Sequence, residues 1–171
     1  MKQVLVILIT AISFLVMNVS KAQTAAKDNK LSQSITSHPI PSGPAVYGIF
    51  EGRPPCQEIA RQVDSPSTSA CTKVKWRLIF YQDPITKQPT TYQLLGRFLP
   101  AEGKWKIIKG IKSNPDAEVY QIQLNKPGTY FYFLKGDENV LFVLDENKEF
   151  RVGNEDFSYT LNRVELVPGK K

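Results

Sequence analysis

Residues 71–82 alternate almost perfectly in polarity: Val74, Trp76, Leu78 and Phe80 fall on one face, and Lys73, Lys75 and Arg77 on the other, joined by Ile79 and Tyr81. A period of two predicts a half-buried β-strand with its apolar face on a core and its basic face in water. Shorter segments of the same kind follow each other along the chain. Residues 45–50 make the first. In residues 90–99, Tyr92, Leu94 and Phe98 share a face, and Gly96 stands where a fourth large side chain belongs, which predicts a bend or bulge. Trp105 and Ile107 share a face within 104–111. Residues 118–124 and 129–135 flank Asn125-Lys126-Pro127-Gly128, and Pro-Gly suits a tight hairpin turn. Residues 140–144 and 157–167 complete the set. One stretch departs from the period of two: residues 56–63 have room for one or two helical turns.

About eight short strands separated by turn residues predict an all-β meander. The segment from residue 45 to 167 spans about 120 residues, enough for one core and too few for two. A small antiparallel up-and-down barrel is favoured over a sandwich, because closure removes exposed edges. Ahead of it lie two segments of different character. Residues 1–22 open with Lys2, continue as an apolar run from Val4 to Met17, and end Ser20-Lys21-Ala22. This reads as a cleaved signal peptide, with Gln23 as the first mature residue. The run is short for a membrane span of about 20 apolar residues, so no transmembrane anchor is expected after cleavage. No cysteine follows the run, so no lipid anchor is expected either. Residues 23–44 are rich in Ser, Thr, Lys and Pro and read as a flexible spacer that contains the sole histidine, His38. The domain organisation is therefore signal 1–22, linker 23–44 and barrel 45–171. The expected location is the periplasm or the medium.

Removing residues 1–22 takes Lys2 and Lys21 with it, leaves 149 of the 171 residues and lowers the formal charge from +6 to +4. A charge of this size does not argue for nucleic acid. It also removes both methionines, Met1 and Met17. Lys73, Lys75, Arg77, Lys104, Lys106, Lys109 and Lys112 read as a solvated outer sheet surface. Asp145, Glu146, Glu149, Glu155 and Asp156 read as polar loop residues. The sequence contains no phosphate-binding loop, no Ser-His-Asp set and no metal-ligand spacing, so no catalytic residue is assigned and the protein is not expected to be an enzyme. No cofactor is expected.

Gly48-Ile-Phe-Glu-Gly-Arg-Pro-Pro-Cys56, Phe142-Val-Leu-Asp-Glu-Asn-Lys-Glu-Phe150 and Phe157-Ser-Tyr-Thr-Leu161 resemble the N-terminal domain of the NlpE family of bacterial envelope proteins, associated with copper homeostasis and surface sensing. The likeness extends over most of residues 45–165 and is nearest to a secreted Bacteroidetes-type branch carrying a second cysteine. It implies a small antiparallel, lipocalin-like β-barrel and a role in the cell envelope. The family's lipid-bearing cysteine is absent, and its Cys-x-x-Cys is reduced to Cys56 alone. Copper(I) prefers soft sulfur ligands. The mature chain offers only the sulfurs of Cys56 and Cys71, so the implied copper role is weakened at the residues that would carry it.

Cys56 and Cys71 are 15 positions apart on either side of a polar loop. In an exported protein an even cysteine count is most simply a disulfide, and that pairing is favoured over a two-thiolate metal or redox site. Tyr130, Phe131, Tyr132 and Phe133 put aromatic rings on both faces of one strand, some for the core and the others for a cavity or contact surface. The first expectation is a non-enzymatic binding, interaction or stress-sensing module for a small ligand or an envelope protein. Handling of copper or another soft metal by Cys56 and Cys71 is the alternative. A small hydrolase or isomerase built on the barrel stands third.

Overall fold

The order of the strands decides how the alternating faces come together. In the computed structural model they form β1 (Val46–Gly52), β2 (Trp76–Gln82), β3 (Pro89–Gly96), β4 (Ala101–Ile111), β5 (Asn114–Gln123), β6 (Tyr130–Lys135), β7 (Val140–Leu144) and β8 (Thr160–Arg163), with helix α1 (Cys56–Gln62) between β1 and β2. The structure describes residues 38–66, 70–97 and 100–164. The expected signal segment, residues 23–37 of the expected spacer, Phe98 and the end of the last expected strand lie outside these. Each strand pairs antiparallel with the next, and β8 returns to β1 with Phe50 opposite Arg163 and Gly52 opposite Leu161, closing an eight-stranded barrel. Closure leaves no unpaired edge, the liability that the sandwich alternative would have kept.

The apolar faces fill the interior, as the width of an eight-stranded barrel allows. Trp76, Leu78, Phe80, Tyr92, Leu94, Trp105, Tyr120, Ile122, Phe131 and Phe133 are all buried there. Phe80 is central: its ring centroid lies 4.5 Å from that of Trp105, 5.4 Å from Tyr120, 6.2 Å from Phe50 and 6.3 Å from Phe133. Gly96 makes the expected bend with φ +149°, and a Cβ there would lie 2.8 Å from Trp76 Cδ1 and 2.3 Å from the Lys75 carbonyl. The space left by the missing side chain is therefore taken by the indole of the facing strand. The hairpin at 125–128 forms, with Gly128 at φ +78° and Leu124 N donating to Thr129 O.

Four local readings are corrected. Strand β2 starts at Trp76 rather than Cys71, because residues 71–74 are drawn onto the chain entering α1: Cys56 N donates to Thr72 O and Val74 N to Pro54 O. Arg77, expected in water, is buried. Its Nε donates to Glu51 Oε1 at 2.6 Å and its Nη1 to the His38 carbonyl at 2.8 Å. The backbone of residues 38–44 runs over the outer face of β2, where Gln82 Nε2 also donates to Pro44 O. The outward Ile79 is buried as well. Ile107, expected beside Trp105 in the core, is 38 % exposed because it sits where β4 reaches the barrel end.

Outside the barrel, Val119, Leu134 and Leu144 form a second apolar cluster with Ile108, Tyr132 and Phe142. The connection after β7 folds back onto it, bringing Phe150 to 5.7 Å from the Phe142 ring.

Candidate functional site

Polar chemistry concentrates in three places, and they differ in whether their charges are already satisfied. The first is the end of the barrel that carries α1. This helix is short and lacks a side-chain N-cap, so its own hydrogen bonds cannot hold it. It is held by burial of Cys56, Ile59 and Ala60, by the Cys56–Cys71 disulfide with Cα atoms 5.8 Å apart, and by Arg151. The nearly buried Arg151 guanidinium donates to Glu58 Oε2 at 3.0 Å, to Gln62 Oε1 at 2.5 Å and to the Leu144 carbonyl at 3.1 Å. It also lies 5.5 Å from the Tyr159 ring centroid. Burial, with Glu58 alongside, pushes the Tyr159 hydroxyl pKa up. Every charge here has its partner, and the arrangement clamps α1 to the barrel. Both sulfurs that a soft-metal site would use are spent on each other.

The second place is the opposite end, where β1 begins and β8 ends. Glu118 pairs with Lys109 at 3.3 Å and Lys135 at 3.7 Å, and Glu138 with Lys135 at 2.5 Å and Arg163 at 3.9 Å. Arg163 lies 4.7 Å above the Phe50 ring and donates to the Tyr47 carbonyl. Gly48 makes room for this, since a Cβ there would sit 2.7 Å from Arg163 Nη1. Beneath the rim the Tyr47 and Tyr120 hydroxyls share a hydrogen bond of 2.5 Å. Burial, helped by that bond, pushes the Tyr120 pKa up. The Glu138 carboxyl is held below its ordinary range by Lys135, whose own pKa is raised by the same bond. Tyr47 turns inward because the register slips between Val46 and Gly48, a bulge that strict alternation hides.

The third is a cleft on the outer face where β1 meets β8. It has a volume of about 460 Å³ and is lined by Glu51, Gly52, Arg53, Lys75, Asp156, Phe157, Ser158, Thr160 and Asn162. Its floor is formed by close backbone approach: a Cβ on Gly52 would lie 2.3 Å from the Thr160 carbonyl. Glu51 is neutralised by Arg77. Lys73 lies 4.5 Å over the Phe157 ring, and the Ser158 and Thr160 hydroxyls bond to each other. Among the described residues, Arg53 and Lys75 have no carboxylate partner and no side-chain hydrogen bond. Two cations without protein partners in one concave surface distinguish this cleft from the other two places, and it is the candidate site.

The residues singled out from sequence are divided by the structure. Phe131 and Phe133 are core, 5.3 Å separating the Phe131 and Trp76 rings, whereas Tyr130 and Tyr132 lie on the outer face, and none of the four lines the cleft. Among the described residues no group of three or more His, Cys, Asp or Glu is placed to hold a metal, and no helix is long and apolar enough to cross a membrane. Lys75 and Asp156 were visible as parts of a basic face and an acidic loop. Arg53, Phe157, Ser158 and Thr160 sat in two motifs of the resemblance about a hundred positions apart, and only the β1–β8 closure joins them. A second open groove, about 510 Å³, lies against Tyr81, Thr91, Tyr92, Gln93, Glu102 and Gly103.

Compared with known protein families, with curated proteins and with solved structures, the chain matches none of them.

Tyr92 offers a pH test of the fold that carries the site. It is buried, and its hydroxyl donates to the Gln123 carbonyl at 2.5 Å. Burial, with Glu102 nearby, raises its pKa to about 12. The unfolded chain ionises near pH 10, so stability from this group is intact below about pH 10 and is lost as pH rises through about 12. Tyr92→Phe is expected to cost about 1 kcal/mol at pH 7 through the lost hydrogen bond. It is also expected to flatten the decline in stability between pH 10 and 12 by about 1.4 kcal/mol per pH unit. Urea unfolding across that range measures both, and parallel curves for the two proteins would refute the assignment.

Proposed function

We propose that this protein is an exported, non-enzymatic binding or interaction module of the NlpE type, acting in the cell envelope. The observation that carries the reading is the placement of its unpartnered polar groups. The barrel interior is filled by aromatic rings, while Arg53 and Lys75 face an outer cleft that also presents Asp156 and Asn162. A surface of this kind favours recognition from outside over storage of a ligand inside. The Cys56–Cys71 bridge supports export, because such bonds persist in oxidising compartments. A copper role would first require that bridge to be reduced.

The test is expression of the full chain in a bacterial host, with a photo-crosslinking residue at the exposed Asn162 and, as control, at the exposed Glu146. The expected result is an oxidised chain beginning at Gln23 in the periplasm or medium, with a discrete adduct from position 162 and none from 146. An unprocessed chain with reactive thiols inside the cell, or identical adducts from both positions, would overturn the reading.

A further inference from the structure

We infer that the cleft between β1 and β8 binds a small polyhydroxylated anion, one acidic group on a hydroxyl-bearing body. The inference rests on the cleft being the binding surface, and it names the class of ligand. Arg53 and Lys75 are exposed, line the same concave surface and have no partner in the protein among the described residues. A guanidinium and an ammonium so placed form charge-assisted hydrogen bonds to a carboxylate or phosphate.

The rest of the lining limits what the anion is attached to. Among the described residues no cation sits on the Asp156 carboxylate; Asn162 presents an amide, and Ser158 and Thr160 a pair of hydroxyls. These groups accept hydrogen bonds from ligand hydroxyls, and the Asp156 carboxylate repels a second negative charge. A polyanion such as nucleic acid meets the Asp156 carboxylate as well as the two cations, and a purely apolar molecule leaves the polar groups that make up most of the lining without partners. The volume of about 460 Å³ lies toward the lower part of the range for small-molecule sites. A sugar carboxylate and a sugar phosphate share this chemistry.

The test is titration of the full chain, followed through its backbone amide resonances, with glucuronate, glucose 6-phosphate, glucose and inorganic phosphate. Glucuronate or glucose 6-phosphate is expected to shift Gly52, Lys75 and residues 157–162 in a saturable way. Glucose and inorganic phosphate are expected to bind at least about tenfold more weakly, since each offers half of the recognised chemistry. Arg53→Gln and Lys75→Gln should each weaken binding about tenfold and leave the remaining spectrum unchanged, because neither side chain supports the fold. Preference for one of the two sugar acids identifies the source of the anion. Shifts of equal size for inorganic phosphate, or shifts spread over Lys104 and Lys106, overturn the inference. A position-162 adduct in cells together with no saturable shift from either sugar acid removes the ligand class and leaves the interaction module standing.

Discussion

Replacing Trp76 with alanine is expected to lower the unfolding free energy by about 4 kcal/mol, the upper range for a buried aromatic. The indole is fully buried, edge-on to Phe131 with centroids 5.3 Å apart, and fills the space that Gly96 leaves on the facing strand. The facing strand cannot fill that space, since Gly96 has no side chain to extend and its backbone is fixed by pairing with residue 76. The cavity would persist, and the cost of losing contacts would add to that of lost burial. Trp76 Nε1 is also the one buried side-chain nitrogen or oxygen without a hydrogen-bond partner among the described residues. An unpaired buried donor costs about 1–3 kcal/mol, so Trp76→Phe discards a burden along with part of the ring. Its expected loss is under about 2 kcal/mol. Urea unfolding of the two variants separates these contributions, and a Trp76→Ala protein within about 1 kcal/mol of the parent would show that the indole is not the anchor described.

Removing the disulfide, by reduction or by the pair Cys56→Ala and Cys71→Ala, is expected to cost about 3 kcal/mol, from the loop entropy of a 15-residue separation. In a domain of this size that lowers Tm by roughly 10 °C. The loss should not be spread evenly. α1 has seven residues, no side-chain N-cap and an apolar face of only Cys56, Ile59 and Ala60. Without the bridge, it is held by Arg151, by that face and by a few hydrogen bonds such as Gln62 Nε2 to the Tyr130 carbonyl. The amides of Ile59 and Ala60 should therefore lose exchange protection before those of β4 and β5, whose ladder is untouched. Uniform loss of protection across the barrel would mean that the bridge supports the whole fold and not the helix alone.

The barrel and the inward faces of its strands were legible because most strands bury one face only. Where that holds, as for Val74, Trp76, Leu78 and Phe80 or for Tyr92 and Leu94, a period of two assigns each side chain to the correct face. Gly96 and the turn at Gly128 were equally legible, since both use backbone conformations that glycine allows. The reading failed where a second layer covers the outside. Arg77 lies under the chain at His38, and Ile79 is buried on the same outer face. The alternation is the same whether the outer face meets water or protein. Tyr47 escaped for a different reason: a bulge shifts the period by one residue and leaves no mark in composition.

The candidate site marks the limit of sequence reading for this chain. Local patterning, turn chemistry and the count of cysteines were enough for an all-β barrel with a stapled helix, because those features depend on neighbours close along the chain. Which charges remain free depends on contacts between distant residues. Glu51 is quenched by Arg77, and Glu118 and Glu138 by Lys109, Lys135 and Arg163. Among the described residues, Arg53 and Lys75 meet no such partner when β8 closes onto β1. Closure of the barrel therefore selects, from a mixed set of surface charges, the two cations that face an open cleft.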